Sequence, residues 1–301
     1  MDPKDLIYAL FVVEGTNIKE PIATMPDIYR YSLDRIDEEL ECVQAAGISG
    51  ILLFGVPAHK DAVGSSAYDP HGILAQAITH IQSKLPHQLV IADVCLCEYT
   101  DHGHCGLVHE HAILNDETLP LLAKMAVCCV QAGADNDMMD GDITAIRQAL
   151  DAHGLSQTPI MGYSAKYASG YYSPFRDAAG SAPCFGDRRS YQMDPRNGKE
   201  GVREVENDID MGADIVMVKP ALAYLDVVKA VSEHCSLPLA VYNVSGEYAM
   251  VKAAAKAGMI DEKRIIFENL IAMKRAGAQI IITYHALEMA HWLETGEVYA
   301  F

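Results

Sequence analysis

Short apolar runs recur along the chain, and most precede a longer segment in which apolar residues return every three to four positions. Eight such runs are predicted to be strands: residues 6–13, 48–56, 89–94, 132–139, 159–165, 213–219, 237–244 and 278–284. The intervening segments are predicted to be helices, for example one from Ser32 as N-cap to Gly47 and one from Asp116 to Gly133. Helices that alternate with strands buried on both faces indicate a parallel sheet covered by helices.

Eight strand–helix units predict an α/β fold of the (β/α)8 TIM-barrel class, with residues 1–301 as one domain. An open doubly wound sheet is the alternative, but no G-x-G-x-x-G turn follows the early strands. The fourth run, AGADNDMM, is polar and poor in β-branched residues, so we expect a shortened or irregular fourth strand.

Composition and charge narrow the range of partners. The net charge of −18 argues against nucleic acid, because phosphate binding requires a basic surface. No run of about 20 apolar residues is present, so we expect no membrane span. The first residues, MDPKDLIYALFVVEG, lack the pattern of a signal peptide, and the eight cysteines are scattered. These features predict a reduced, cytoplasmic protein.

Chemically reactive side chains follow the predicted strands, where the carboxyl ends of barrel strands form the active-site face. They include Asp93, Tyr163, Ser164, Lys166, Lys219, Asn243, Ser245 and Tyr284. If Lys166 and Lys219 face one pocket, burial and mutual repulsion should lower the pKa of both amines. A neutral amine can form a Schiff base with a ketone or aldehyde. The alternative is that each lysine extends to solvent from its strand end.

The segment DVCLCEYTDHGHCG, residues 93–106, contains a candidate metal site. Cys95, Cys97 and Cys105 offer three thiolates, which can bind Zn²⁺ and leave its fourth position open. Three free buried thiols are the alternative. His102 and His104 could complete a closed site or orient the loop. We expect four other cysteines in the core: Cys42, Cys128, Cys129 and Cys235.

A long loop, residues 173–196, follows the fifth predicted strand and contains four arginines. Loops of this length over a barrel mouth often act as lids, so we predict an active-site lid here. Arginine in such a lid can hold a substrate carboxylate, although ordinary surface charge is the alternative for each residue. The four are Arg176, Arg188, Arg189 and Arg196. The residues alone therefore indicate a lysine–imine enzyme for a carbonyl substrate with a carboxylate, with zinc nearby.

The chain resembles the porphobilinogen synthase family, also called 5-aminolevulinate dehydratases. The resemblance covers nearly the whole chain and is strongest in DVCLCEYTDHGHCG, GYSAKYASGYYSPFRDAA, FGDRRSYQMDP, MVKPALAYLD and YNVSGEYAM. It implies a lyase that condenses two molecules of 5-aminolevulinate to porphobilinogen, an early step of tetrapyrrole (heme) biosynthesis.

The resemblance also implies roles for single residues. Lys219 would form a Schiff base with one substrate, and Lys166 would serve the second. The first substrate's carboxylate would be bound by Ser245 and Tyr284. The second substrate's carboxylate would be bound by the lid residues Arg176 and Arg188, with Gln192 close by.

The metal sites follow in the same way from the resemblance. Cys95, Cys97 and Cys105 would hold the catalytic zinc, with Asp93 as an acidic catalytic residue at that site. Glu204 matches a position that binds an allosteric Mg²⁺ in many bacterial members.

The sequence departs from the family pattern at two places. Members usually carry an N-terminal arm that wraps a neighbouring subunit, whereas the first predicted strand begins here at Leu6. We therefore expect almost no arm and a homo-oligomer that is a dimer, a hexamer or an octamer. The second departure is the shortened segment around the fourth strand. These departures motivate one alternative, a catalytically silent zinc-binding homologue; another is a class I aldolase-like lyase, which the second lysine and the cysteines oppose.

Overall fold

We describe residues 1–134 and 142–299 of this chain in a computed structural model. The strands are β1 (Leu6–Val13), β2 (Lys19–Pro21), β3 (Tyr29–Tyr31), β4 (Gly50–Val56), β5 (Leu89–Ala92), β6 (Leu107–His109), β7 (Ala112–Leu114), β8 (Met161–Lys166), β9 (Ile215–Lys219), β10 (Leu239–Asn243) and β11 (Ile280–Thr283). Seven of them, β1, β4, β5, β8, β9, β10 and β11, match seven of the eight predicted runs, with ends that differ by at most about two residues, as is usual for assigned boundaries.

These seven strands pair in parallel in the spatial order β5–β4–β1–β11–β10–β9–β8. Nearly all of their residues are buried, because helices cover the outer face and side chains fill the inner one. The parallel strands and surrounding helices agree with the predicted TIM-barrel class.

The predicted fourth strand would lie between β5 and β8, but residues 135–141 are outside the described part of the chain. The described residues of that run do not form a strand. Ala132 is the last residue of a helix, and Gly133 follows with φ +113°. A left-handed backbone at this position favours glycine and ends the helix.

The helices are α1 (Asp37–Ala45), α2 (Ile73–Lys84), α3 (Asn115–Ala132), α4 (Asp142–Ala152), α5 (Ser173–Ala178), α6 (Gly198–Asp210), α7 (Leu225–His234), α8 (Ser245–Lys256), α9 (Glu262–Ala276) and α10 (Ala286–Thr295). The predicted glycine ends are close to the observed ones, but the predicted starts are wrong. Ser32 precedes only a short 3-10 turn, because its hydroxyl bonds to Asp34 and to the backbone of Ile18. Asp116 lies inside the first turn of α3 rather than at its cap.

Two short hairpins complete the described structure. β2 and β3 are antiparallel, and β3 also pairs with the end of β1. β6 and β7 form a separate hairpin after the cysteine-containing loop. None of the helices in the described ranges is long and apolar enough to cross a membrane.

Candidate active site

Lys166 and Lys219 are the last residues of β8 and β9, and they are direct register partners on these neighbouring strands. Both line one cavity at the carboxyl ends of the strands. The other lining residues are Asp93, Cys95, Cys97, Glu98, Tyr172, Phe175, Arg176, Arg188, Gln192, Tyr242, Val244, Ser245 and Tyr284. The structure thus brings together most of the residues that the sequence selected.

Lys219 is enclosed by aromatic rings. Its Nζ lies 4.2 Å from the ring centre of Tyr242 and 4.5 Å from that of Tyr163. Burial and the positive charge of Lys166 lower the pKa of Lys219 to about 7. An ordinary lysine, with a pKa of about 10.4, is neutral in only about one molecule in a few thousand at pH 7. The enclosure therefore makes a nucleophilic amine at neutral pH, as predicted for this residue.

The pKa of Lys166 is not lowered as predicted. Burial alone would lower its pKa, but the negative charges of Cys105, Cys95 and Asp93 outweigh burial and raise the pKa of Lys166. The expectation that both amines have a lowered pKa is therefore wrong for Lys166, because it neglected the nearby thiolates.

Asp93 follows β5 and lies close to both lysines. Tyr163 donates a hydrogen bond from its hydroxyl to Asp93 Oδ1 over 2.9 Å, and the same ring lies 5.1 Å from Lys166 Nζ. Burial raises the pKa of Asp93, although the charges of Lys219 and Lys166 oppose this. A carboxyl group in this position can accept or return a proton beside either amine.

Cys95, Cys97 and Cys105 are buried, and their sulfur atoms all lie within 4.8 Å of one another. Hydrogen bonds from Cys95 and Cys97 hold the pKa of Cys105 well below its usual value, so the three sulfurs share a negative charge. A tetrahedral zinc ion, with Zn–S bonds of about 2.3 Å, holds its sulfurs about 3.8 Å apart. The cluster therefore has the ligand atoms and the charge that a thiophilic metal requires.

The two histidines of this loop contact the predicted lid. His104 Nδ1 lies 3.1 Å from Tyr191 Oη, and its Nε2 lies 3.0 Å from the Phe185 carbonyl oxygen. His102 accepts a hydrogen bond from the His104 backbone N–H. Among the described residues, the groups that could hold a metal contain neither histidine. Their contacts favour the interpretation that these residues orient the loop.

Of the cysteines expected in the core, only Cys129 is fully buried. Cys128 and Cys235 are half-buried, and Cys42 is exposed, so the expectation was wrong for Cys42. Cys42 lies on the outer side of α1, where its helical position points away from Leu40 and Val43, the buried residues of that helix.

Residues 173–196 contribute three polar side chains to the cavity: Arg176, Arg188 and Gln192. Arg188 is buried, and its Nη2 donates to the carbonyl oxygens of Gly103 and Ser181. In the described part of the chain, no partner is found for buried nitrogen atoms of Arg176 (Nε), Arg188 (Nε) and Gln192 (Nε2). Burial and the charge of Arg188 lower the pKa of Arg176, so an anion between them would relieve their repulsion.

The four arginines of residues 173–196 thus divide into two pairs. Arg176 and Arg188 line the cavity. The side chains of Arg189 and Arg196 are exposed and pair with Asp187 and Asp194. For these two, the structure favours the alternative of ordinary surface charge.

Ser245 and Tyr284 also line the cavity. Ser245 begins α8, and its Oγ accepts a hydrogen bond from the Phe175 backbone N–H over 2.9 Å. Tyr284 follows β11, and its hydroxyl lies 2.9 Å from the Tyr242 hydroxyl. The contact with Phe175 joins α5 to the start of α8.

Glu204 is separate from this site. It lies on α6, does not line the cavity and is paired with Arg203 over 2.9 Å. In the described ranges, no cluster of metal-ligating side chains contains it.

Two buried glutamates were missed in the sequence. Glu98, the residue after Cys97, lines the cavity. Burial, together with the negative charge of Asp93, raises the pKa of Glu98 to about 8. Glu247 accepts backbone hydrogen bonds from Leu222 over 2.7 Å and from Val244 over 2.8 Å. It therefore joins the turn after Lys219 to the turn before Ser245. The signal for Glu247 was its position, three residues after the N-cap of a helix.

The family model described as "Delta-aminolevulinic acid dehydratase" matches residues 1–292. A protein named delta-aminolevulinic acid dehydratase from Halalkalibacterium halodurans is 53% identical over 293 residues, covering 96% of this chain and 89% of that protein. The protein of the same name from Bacillus subtilis is 52% identical over 297 residues, covering 97% of this chain and 92% of the relative.

Solved structures give the same result. The delta-aminolevulinic acid dehydratase (porphobilinogen synthase) of Toxoplasma gondii ME49, in complex with the reaction product porphobilinogen, superposes with a TM-score of 0.97. It is 42% identical, and the match covers 100% of this chain and 88% of that one. The aldolase QR15 superposes with a TM-score of 0.52 at 13% identity over the whole of both chains, which is a likeness of fold alone.

Proposed function

We propose that this chain, which belongs to the delta-aminolevulinic acid dehydratase family, condenses two molecules of 5-aminolevulinate to porphobilinogen through Lys219 and Lys166. The chain is a porphobilinogen synthase, a lyase of heme biosynthesis. Family membership opposes the aldolase, and the retained lysine pair and cysteine cluster oppose the catalytically silent homologue. The observation that carries the residue assignment is the pair of lysines in register at one cavity.

Lys219 is proposed to act as the nucleophile for the first substrate. Its neutral amine attacks the ketone carbon, and loss of water leaves a C=N bond between the lysine nitrogen and that carbon. When this imine is protonated, the neighbouring C–H bonds become acidic. Asp93 is placed to accept a proton there, and the aromatic rings around Lys219 exclude water that would hydrolyse the imine.

Lys166 is proposed to hold the second substrate in the same way. Its amine enters the cavity beside that of Lys219, so the two bound ketones would lie side by side. Fixing two reactants next to each other makes a bimolecular condensation effectively unimolecular.

The two carboxylates are proposed to bind to two different sets of residues. Ser245 and Tyr284 would receive the carboxylate of the first substrate. Arg176, Arg188 and Gln192 would receive that of the second, and their buried nitrogen atoms without partners in the described chain support this assignment. Binding to the second set would also hold residues 173–196 over the cavity, and we propose that this segment is the active-site lid of a single domain, residues 1–301.

The family and the cysteine cluster indicate a metal, and we propose that it is zinc, held by Cys95, Cys97 and Cys105. Bound zinc would supply Lewis-acid polarisation of a carbonyl or hold a substrate amine as the free base.

Further assignments follow from the family and the composition. We propose a cytoplasmic location, because all eight cysteines are free thiols and a reducing compartment keeps them so. The family is oligomeric, and a dimer, a hexamer and an octamer are all proposed assemblies. An allosteric Mg²⁺ at Glu204 stays a proposal that rests on the resemblance.

The function is tested by incubating the purified chain with 5-aminolevulinate and measuring pyrrole formation. We expect porphobilinogen from the wild-type chain and at least a thousandfold lower rate from Lys219→Met, since covalent catalysis is then lost. Lys199→Met, which changes an exposed lysine, is the matched control and should keep full activity. Carbon–carbon cleavage without pyrrole would instead support an aldolase.

A further inference from the structure

Three buried side chains, Asn243, Glu247 and Thr283, join the carboxyl ends of β9, β10 and β11, and we call them the strand-end network. Glu247 Oε1 accepts a hydrogen bond from the Leu222 backbone N–H over 2.7 Å. Its Oε2 accepts from the Val244 backbone N–H over 2.8 Å and from Asn243 Nδ2 over 3.2 Å. Asn243 Oδ1 in turn accepts from Thr283 Oγ1 over 2.9 Å. These side chains therefore connect three neighbouring strands of the sheet.

Each of these strand ends carries a residue that the proposed function assigns to the first substrate. Lys219 is the last residue of β9, Ser245 begins α8 just after β10, and Tyr284 directly follows β11. All three line the cavity, whereas the lining formed by the described residues contains no side chain of the strand-end network. The network therefore acts on the position of these residues and not on the substrate itself.

Pairing between β9 and β10 ends before it reaches Lys219. In the described chain, the last register pair of these two strands lies one residue before Lys219. The Lys219 carbonyl oxygen accepts hydrogen bonds from the Tyr167 backbone N–H over 3.0 Å and from the Tyr172 hydroxyl over 3.2 Å, and both tyrosines follow β8. Toward β10, the Glu247 carboxylate ties the turn after Lys219 to the turn before Ser245. The spacing between these two site residues thus depends on Glu247.

The first substrate has to meet these residues at two points. Its ketone must reach the Lys219 amine while its carboxylate reaches Ser245 and Tyr284. In 5-aminolevulinate, two methylene groups separate the ketone from the carboxylate. A buried polar network whose members are all hydrogen-bonded is rigid, so it holds the two binding points at one separation. One separation suits one length of substrate.

We propose that the strand-end network fixes the distance between the Lys219 amine and the residues that bind the first substrate's carboxylate, and so selects 4-oxo acids over 5-oxo acids. This inference rests on the proposed function of Lys219. It makes the three members of the network positioning residues that determine the length of the substrate. One extra methylene group changes recognition by about tenfold or more where a site is closely fitted.

The test measures imines at Lys219 with three ligands that differ in the carboxylate arm. 4-Oxopentanoate has the ketone and carboxylate of 5-aminolevulinate without its amino group, 5-oxohexanoate has one more methylene group, and butan-2-one has no carboxylate. The imine is trapped with borohydride in the zinc-loaded chain, and the half-saturating concentration of each ligand is read by mass spectrometry. The assay is run at pH 8 to keep Glu247 ionised, because burial raises the pKa of Glu247 to about 7.

Glu247→Gln is the main variant. A carboxamide has one acceptor oxygen and one NH2 group, so in either orientation the Leu222 side or the Val244 side loses its acceptor. We expect the wild-type chain to bind 4-oxopentanoate at least about tenfold more tightly than 5-oxohexanoate. In Glu247→Gln this ratio should fall below about threefold, while the half-saturating concentration of butan-2-one changes by less than about twofold.

Further variants separate positioning from folding. Thr283→Val removes the hydroxyl that donates to Asn243, and it carries the test if Glu247→Gln does not fold. It should lower the ratio as well, and Thr283→Ser, which keeps the hydroxyl, should restore it. Glu39→Gln is the matched control, since Glu39 is a carboxylate on α1 that accepts hydrogen bonds from two tyrosine hydroxyls and does not line the cavity. This control should keep the wild-type ratio.

A wild-type ratio in the network variants would overturn the proposal, and so would a wild-type chain that binds the two acids equally. Equal weakening of all three ligands would overturn it too, because that result indicates a general loss of structure around Lys219 rather than a change of spacing. Failure of the proposed function would look different, because then no ligand would form an imine at Lys219 in the wild-type chain.

Discussion

Lys166 and Lys219 are register partners at the carboxyl ends of the neighbouring strands β8 and β9, and both line one cavity. Their surroundings nevertheless shift the pKa values of the two amines in opposite directions. Aromatic rings enclose Lys219, whose pKa falls to about 7, whereas thiolates near Lys166 raise its pKa. At neutral pH, Lys219 therefore has a large fraction of neutral, nucleophilic amine. The protonation of Lys166 depends on the charge of the cysteine cluster.

The first prediction concerns pH. Lys219 must be neutral to attack a ketone, so the rate of imine formation at Lys219 should rise with pH and level off above a midpoint of about 7. Lys166→Met removes a like charge, which favours protonated Lys219 and should move the midpoint upward by about one pH unit. The measurement is the initial rate of borohydride-trapped 4-oxopentanoate at Lys219 against pH. An unchanged midpoint in Lys166→Met would show that the two amines are not coupled.

The second prediction concerns the arginines of residues 173–196. Arg176→Lys keeps the positive charge but removes the planar pair of donors that suits a carboxylate. We expect KM for 5-aminolevulinate to rise about tenfold, equivalent to about 1.4 kcal/mol of binding free energy. Arg189→Lys is the matched control, because Arg189 is exposed on the same segment. Equal KM values for the two variants in steady-state assays would refute the role of Arg176.

The third prediction concerns the metal. Cys97→Ser removes one of three sulfur ligands, and the loss of a ligand strongly weakens the binding of the metal. We expect the zinc content of the purified variant, measured by atomic emission after dialysis, to fall from about one ion per chain to below about 0.2, and activity to fall with it. Cys129→Ala is the control, since Cys129 is an equally buried thiol on α3. Full activity of the wild-type chain after complete removal of zinc would contradict the assignment.

The positions of the strands could be predicted because parallel strands buried on both faces leave continuous apolar runs in the sequence. The ends of these strands then selected Lys166, Lys219, Asp93 and Ser245 for one face of the barrel. The first residues of the helices were harder to predict from the sequence. Ser32 has the residue type of an N-cap, but its hydroxyl is used by contacts with Ile18 and Asp34.

The remaining errors concern contacts between loops that are distant in the sequence. The raised pKa of Lys166 depends on Cys105, which lies 61 positions earlier on another loop. Glu247 accepts a hydrogen bond from the backbone of Leu222, which is 25 positions earlier. Glu98 was not predicted as a site residue, although it follows Cys97 in a recognised motif. Residue type and spacing identified the reactive groups, whereas their electrostatic surroundings required the three-dimensional arrangement.

The central claim, that Lys219 is the nucleophile of a porphobilinogen synthase, is tested most directly by trapping the enzyme during turnover. Borohydride is added to the zinc-loaded chain with 5-aminolevulinate, and the reduced adduct is located by peptide mass spectrometry while pyrrole formation is followed in parallel. We predict an adduct on Lys219, together with product in the untreated reaction, and no product from Lys219→Met. Pyrrole formation without an adduct on Lys219, or undiminished activity of Lys219→Met, would contradict the account.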